Sequence, residues 1–498
     1  MSEIIPLIAI VLFAVLMVFI GIRSSKKSTN MSEFLLGSRN IGPWMSAFAY
    51  GTSYFSAVIF IGYAGKTGWG IGIGGIWLGI GNAIFGSLLA WLILAKRTRA
   101  MTHELGAKTM PEFFGARYKS KPIKIFSALI VFIFLLPYAA SVYMGLGYLF
   151  NTVFPGVDYV YCMLLIACLT AVYLVLGGYK ATVLTDFIQG IIMIFGVVVM
   201  IFAILNANQV GGLSEGLNKL KAIEPDLTNL SGGKNWLSLI SLIGLTSFGA
   251  WGLPQMVHKF YAVKDEKSIK IATVVSTLFA LIIGVGAYFF GTFGRLILNN
   301  ELPKDTAGNV VWDKIIPEVL KIVFSGDSTA ILITIILLLV LSASMSTLSA
   351  VILTSSSAVV VDIAEEIKPD MSKKTQMLMM RGMCLVFVAL SFLFASMQIS
   401  FIISLMAFSW GVVSGCFIGP YIWGLFWKKT SKIGAWVGML SGIITVFGLV
   451  IWKSLEVDFK AAQALSPNFG CIAMIVSFLI VPLVTVIETM VRSKKNNV

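Results

Sequence analysis

The sequence predicts an all-α integral membrane protein of about thirteen spans, and three observations carry that prediction. Apolar residues fill 58% of the 498 positions, only 12% are charged, and mean hydropathy is +0.91. A soluble chain keeps roughly a quarter of its residues charged to wet its surface, so most of this surface faces hydrocarbon. Apolar runs recur along the whole chain, each close to the ~20 residues that cross a bilayer core as a helix. The short alternating segments of a membrane β-barrel do not occur in it.

The spans run over residues 4–22, 43–64, 72–95, 123–150, 159–177, 183–206, 237–257, 271–296, 328–361, 378–397, 401–426, 431–452 and 468–490. Connections are short except 96–122, 207–236 and 297–327, and no segment reads as a soluble domain. The N-terminus has neither a basic region nor a small-residue cleavage site, so Pro6 to Gly21 reads as a retained first span. Of the 37 Lys and Arg residues, 27 fall on one side of this topology and 10 on the other. The positive-inside rule then sets the N-terminus outside and the C-terminus in the cytoplasm of a plasma membrane, as in a bacterial inner membrane. The net charge of +14 is thereby explained by topology and attraction to anionic membrane lipid, not by nucleic acid. Cys162, Cys168, Cys384, Cys416 and Cys471 lie in or beside apolar runs and read as buried small hydrophobes. His103 and His258 fall in basic loops, and no metal or hydrolytic constellation forms around them, which argues against an enzyme.

Three places break the apolar pattern. Span 2 carries Ala49-Tyr50-Gly51-Thr52-Ser53-Tyr54-Phe55-Ser56 at mid-membrane depth, and span 7 contains the segment from Gly244 to Pro254 with three glycines and the proline. Backbone freed from a helix inside a bilayer must be buried in protein or line a cavity. Paired interruptions in two halves point to a binding site between repeats, although small-residue helix packing gives the same composition. The interrupted spans are the first of two groups of five, 2–6 and 7–11, and an odd number inverts the second group. The chain thus divides into a first helix and loop (1–42), a five-helix repeat (43–206), an external loop (207–236), an inverted repeat (237–426) and two further helices with a short tail (427–498). Span 9 carries Ser342-Ala343-Ser344-Met345-Ser346-Thr347-Leu348-Ser349, whose hydroxyls gather on one helical face. Hard cations take oxygen ligands of this kind, while serines also bond their own helix backbone. Asp186 is the one acid expected within the membrane fold. It is either a functional intramembrane carboxylate or a helix cap after Gly177-Gly178-Tyr179-Lys180.

At these residues the sequence resembles the sodium:solute symporter family, which includes proline, pantothenate, sialic acid, monocarboxylate and sugar carriers. The resemblance covers nearly the whole chain. The stretch from Gly177 to Gln189 is similar to the family's glycine-pair to Thr-Asp-x-x-Gln signature. Leu36-Gly37-Ser38-Arg39, Thr109-Met110-Pro111-Glu112-Phe113-Phe114 and Arg117-Tyr118 match its cytoplasmic motifs, and Ser346-Thr347-Leu348-Ser349 its sodium helix. The resemblance implies a LeuT-like core of two inverted five-helix repeats. It implies a Na+ site at Thr52, Phe55 and Ala343 through carbonyls and at Ser346 and Thr347 through hydroxyls. Some members hold a second sodium; Asp186, Ser346 and Ser349 match that arrangement, but Ala350 replaces another serine.

The expected function is sodium-coupled symport of a small organic solute, with proton coupling on the same fold or a channel as the rival readings. The substrate side departs from several subfamilies. Tyr138 stands where sialic acid carriers have arginine, and Val58 and Ile59 where sugar carriers have Glu and Gln. Tyr54 stands where proline carriers have aspartate, and Thr246 and Ala250 where they have aromatics. Tyr54-Phe55-Ser56-Ala57 is closer to pantothenate and monocarboxylate carriers. The expected solute pocket is Tyr54, Ser56, Tyr138, Thr246, Ser247, Trp251 and Gln255, without a basic side chain. A carboxylate there would be held by helix N-termini, hydroxyls and sodium, which favours a monocarboxylate, amino acid or vitamin-like acid.

Overall fold

A computed structural model describes residues 4–25, 30–306, 308–324 and 329–496; Lys26 and Lys27, counted in the first basic loop, lie outside them. The described residues are helical, with two isolated β-bridges and no strand. We number the principal helices α1 (Ile4–Ser25), α2 (Pro43–Tyr54), α3 (Ala64–Ile71), α4 (76–104), α5 (Lys121–Val153), α6 (Tyr159–Leu205) and α7 (Trp236–Ile243). They continue as α8 (Pro254–Ala262), α9 (Glu266–Thr292), α10 (Thr329–Val359), α11 (Lys373–Ser396), α12 (Ile402–Phe426), α13 (Lys432–Glu456) and α14 (Ser466–Asn496).

Local signals set the starts of these helices. Proline occupies the first turn of α2, α5 and α8, where its missing N–H leaves nothing unsatisfied. Side chains of Asp265, Ser372 and Ser431 accept from the first-turn amides of α9, α11 and α13. Counted as unbroken helices, with the bent pair α7–α8 as one, the apolar spans number 11. Two of these, Val58–Glu104 and Tyr159–Leu205, have 47 residues each. At 1.5 Å per residue each is about 70 Å long, over twice the ~30 Å hydrocarbon core, so each takes part in two crossings: Tyr159–Leu205 makes both, and Val58–Glu104 completes the one begun by α2 and makes the next. They turn at Gly72 (φ 68°) and Gly178 (φ 59°, ψ −154°), which gives the thirteen crossings expected. Gly178 is irreplaceable on two grounds, the left-handed φ and a Cβ position 2.7 Å from the Phe34 ring.

α12 is the centre of the bundle, 94% buried over its apolar window, while α1 and α14 are 33% buried and face outward. α10 packs between α6, α5 and α2, and α9 packs along α2, α3 and α4. The two faces of the bundle are closed differently. On the face where α1 begins, Asp313 Oδ2 accepts from the Ile402 amide that starts α12 at 3.1 Å. Lys66 Nζ sits 4.1 Å above the Phe401 ring and 5.7 Å from Trp312. On the opposite face, the Ile41 amide donates to Ala262 O (3.1 Å) and the Lys264 amide to Ile41 O (3.0 Å). There Arg99 also donates to Val263 O at 2.9 Å and Lys264 O at 2.6 Å.

Several expectations need correction. His258 is not in a loop: it lies on α8, 8% exposed, edge-on to the Tyr179 ring. Asp186 is not the only buried acid, since Asp313 and Asp362 are buried as well; hydropathy windows had assigned both to connections. Cys162, Cys384 and Cys416 are buried, but Cys168 is exposed on the outer surface of α6, where hydrocarbon replaces a protein core.

Glycine contacts let α3 approach α9. A Cβ on Gly68 would collide with the Gly291 carbonyl, whereas one on Gly448 in α13 meets nothing within 4 Å. Overpacking costs about 1–3 kcal/mol. Gly68→Ala should therefore lower the thermal midpoint of the purified protein by several degrees while Gly448→Ala leaves it unchanged; equal midpoints would show that the α3–α9 contact yields freely.

Candidate functional site

Two helices stop at the same depth of the bundle. α2 ends at Tyr54, and Phe55 is extended (φ −112°, ψ 114°). Its continuation resumes through the π turn Val58–Tyr63, with the Ile59 amide bonding to Ser56 O instead of to Phe55 O. In the second repeat, α7 passes through the π turn Gly244–Phe248, and Leu253 is extended (φ −86°, ψ 120°) before α8 leaves at 47°. Tyr54 joins the two breaks by donating to Thr246 O at 2.6 Å. A Cβ on Gly86 would collide with the Tyr54 hydroxyl, so only glycine admits this contact.

α10 passes behind the first break and meets it with oxygen. Ser346 Oγ donates to Thr52 O at 2.9 Å and to Ala343 O at 3.0 Å. Thr347 Oγ1 lies 3.4 Å from Thr52 O and 3.3 Å from Ser53 O. The structure thus brings Thr52, Ala343, Ser346 and Thr347 together, with Phe55 at the first extended residue beside them. All five are buried. These are neutral carbonyl and hydroxyl oxygens, the donor set a hard monovalent cation takes when its ligands need not be charged.

Beside this cluster lies a cavity of about 20 Å³, room for about one water molecule. Tyr54, Ser56, Tyr138 and Thr246 of the expected pocket line it. Ser247 adjoins it: Thr246 Oγ1 and Ser247 Oγ both donate to Asn82 Oδ1, at 2.8 and 3.1 Å. Two expected residues stand elsewhere. Trp251 turns its indole away and donates Nε1–H to Phe85 O at 2.8 Å, because the π turn rotates the helix beyond it. Gln255 is buried on α8 with no hydrogen-bond partner for its side-chain amide among the described residues. Phe55, Val58 and Ile59 line the cavity as well, and sequence reasoning missed Asn82, Tyr63, Tyr288, Met406 and Trp410, which complete the lining. Asn82, a lone amide within an apolar run, was the available signal. Trp410 stacks on Tyr54 (6.3 Å) and meets Tyr138 edge-on (5.6 Å), closing the cavity with aromatic rings.

Asp186 lies on the second arm of α6, two turns beyond Gly178, and neither carboxylate oxygen has a hydrogen-bond partner among the described residues. It caps nothing. Lys259 Nζ stands 3.8 Å from Oδ2 and 5.2 Å from the Tyr179 ring, and both side chains of the pair are essentially fully buried. The basic-loop assignment of Lys259 concealed this partner. Ser349 Oγ donates to Ser346 O at 2.9 Å along its own helix.

Comparison with known proteins accords with this architecture. The profile of the sodium:solute symporter family matches residues 34–442. The osmoregulated proline transporter of Bacillus subtilis is 29% identical over 493 residues, covering 98% of this chain and 95% of that protein. The sodium/proline symporter of Haemophilus influenzae is 30% identical over 472 residues, covering 91% and 90%. Among solved structures, a substrate-bound, outward-open Na+-coupled sialic acid symporter superposes with a TM-score of 0.75 at 19% identity, covering 95% of this chain and 97% of that one. Mhp1, a nucleobase-cation-symport-1 transporter, superposes at 0.55 with 14% identity, covering 93% and 96%. The fold is therefore the LeuT-like arrangement of inverted repeats, and a matched profile over most of the sequence makes this chain a member of the sodium:solute symporter family, a family of membrane transporters and not of enzymes.

Proposed function

We propose that the chain uses the inward sodium gradient to take up a small organic solute with one carboxylate (a monocarboxylate, amino acid or vitamin-like acid) by alternating access. The observation that carries this reading is the convergence of the Ser346 and Thr347 hydroxyls on the carbonyls of the broken α2. A sodium ion held by Thr52, Phe55 and Ala343 carbonyls and these two hydroxyls would tie α2 to α10, favouring the arrangement open to the outside. Rocking of the repeats would then release ion and solute inward. The neutral oxygen set favours sodium over a proton, since none of its members titrates near neutrality. A channel would need a continuous polar pore, whereas the cavity is ringed by Tyr54, Tyr138 and Trp410.

The solute would lie at Tyr54, Ser56, Tyr138, Thr246 and Ser247, with Asn82 added. Proline, named for the curated relatives, is the first compound to test. A monocarboxylate without an amine is the second reading, favoured by the absence of any acidic side chain from the cavity lining. Uptake into proteoliposomes of proline and of amine-free acids of its size, with and without a sodium gradient, separates these; sodium-independent uptake would refute the coupling. Thr347→Ala should raise the sodium concentration for half-maximal uptake about tenfold, the equivalent of about 1.4 kcal/mol, with the maximal rate largely retained at high sodium.

Asp186 with Ser346 and Ser349 could serve a second sodium, but the Lys259 ammonium already faces that carboxylate. We favour a charge pair that parts when the cytoplasmic face opens. Removing one partner of a buried pair leaves the other uncompensated, at a cost of about 3–5 kcal/mol. Asp186→Asn should therefore reduce folded protein, and adding Lys259→Met should restore both folding and sodium activation. A double variant that folds but needs far more sodium would instead assign Asp186 to the ion route.

The basic-residue count places the N-terminus outside. Cysteine at exposed Ser214 should then react with an impermeant maleimide on intact cells, and cysteine at exposed Lys374 only after permeabilisation. Reversed labelling would invert the orientation.

A further inference from the structure

Behind the π turn of the second repeat lies a groove of about 410 Å³ between α7, α12 and α14, within the about 300–1,000 Å³ typical of small-molecule sites. Gly244, Phe248 and Trp251 form its floor, and Ile418, Cys471 and Phe478 its walls. Every lining side chain is apolar apart from the Cys471 thiol and the Trp251 N–H, which is turned away to Phe85 O. The rim consists of Ile240, Ile475 and Leu479, exposed by 55%, 54% and 61% on helices that face outward. In a membrane-spanning chain the medium meeting such a rim is hydrocarbon. A void there forfeits the dispersion contacts of its lining on one side, and no polar group offers water a partner.

We propose that this groove is a binding site for one acyl chain of a bilayer phospholipid, and that its occupant braces the second-repeat break. The groove is a slot and not a projecting face, which suits a single flexible chain. Its floor is the reverse side of the turn that builds the solute cavity. Gly244 opens the π turn, and a Cβ there would lie 2.8 Å from Cys471 Sγ, so the glycine keeps the slot deep. Two residues further on, the Thr246 carbonyl receives Tyr54 and its hydroxyl meets Asn82. Phe248 stacks on Phe85 (5.4 Å) and meets Trp251 edge-on (5.5 Å), and Phe85 follows Asn82 on the same stretch of α4. A chain lying on Phe248 and Trp251 therefore bears on both strands of the contact that closes the cavity. The consequence is a transporter whose solute site is sensitive to acyl-chain length.

The test uses the full chain in vesicles of phosphatidylglycerol carrying a diazirine near the acyl terminus, with adducts mapped by mass spectrometry. Adduct yield on residues 240–251 and 471–479 should exceed that on residues 7–16 of α1, an exposed apolar surface without a groove, by about tenfold. Cys471→Phe should abolish the excess and leave the α1 yield unchanged, while Cys471→Ser retains it. Ile475→Trp fills the slot from its rim and replaces Cys471→Phe if that variant misfolds. Hydrogen exchange of amides 244–252 in detergent should slow on adding the phospholipid, and become insensitive to it in the filled variant. Equal yields at groove and α1 would overturn the site, as would cross-links between two copies in place of lipid adducts; unchanged exchange would overturn the bracing role. Neither readout involves transport, so failure here leaves the sodium and solute reading untouched.

Discussion

The contacts at the centre of this molecule are arranged around a backbone that leaves its helix deep inside a membrane-spanning bundle. Each carbonyl or amide stripped of its helical partner in a bilayer costs several kcal/mol unless another group satisfies it. The break after Tyr54 is met by Ser346 and Thr347; at the break before Pro254 the Ser414 hydroxyl donates to Gly249 O, and Tyr54 meets Thr246 O in the π turn that precedes it. These partners fix which helices must touch. α10 has to carry small residues where it crosses α2, and α4 needs glycine at position 86 to admit the Tyr54 hydroxyl. The position of α12, with Trp410 against Tyr54 and Tyr138, follows from the need to cover the same opening.

The cavity formed this way is smaller than any solute. A ring of Tyr54, Tyr138 and Trp410 fills the volume that the breaks create, and a solute bound in the proposed pocket would have to part those rings. The π turns on both sides of the cavity, at 58–63, 82–88 and 244–248, are the places where helices carry an extra residue per turn and adjust most cheaply.

The architecture was legible in the sequence because its causes are local. Hydropathy gave the crossings, glycine and proline gave the breaks, and the eight-residue run from Ser342 to Ser349 gave the hydroxyl face. What escaped was whatever depended on rotation of a helix about its own axis. Trp251 and Gln255 were placed by linear proximity to the break, but the π turn carries Trp251 to the far side. Lys259 reads as a loop lysine by composition, and only the 47° bend that turns α8 back into the bundle buries it beside Asp186. Asn82 and Trp410 lie in otherwise ordinary apolar spans, and their contribution exists only once two repeats face each other.

The strap across the face where α1 begins carries its own titration. Burial pushes the Asp313 carboxyl up to about 7, against the opposing pull of the Ile402 amide and the Lys66 charge. Released from the strap into water it would titrate near 4. Between those values the buried carboxyl binds a proton that a water-exposed one does not, so burying Asp313 takes up a proton and acid favours the buried arrangement; that preference grows as pH falls from about 7 to about 4 and is constant outside the window. With no titrating group in its proposed ion site, the chain would still respond to acidity, through the door rather than through the cargo.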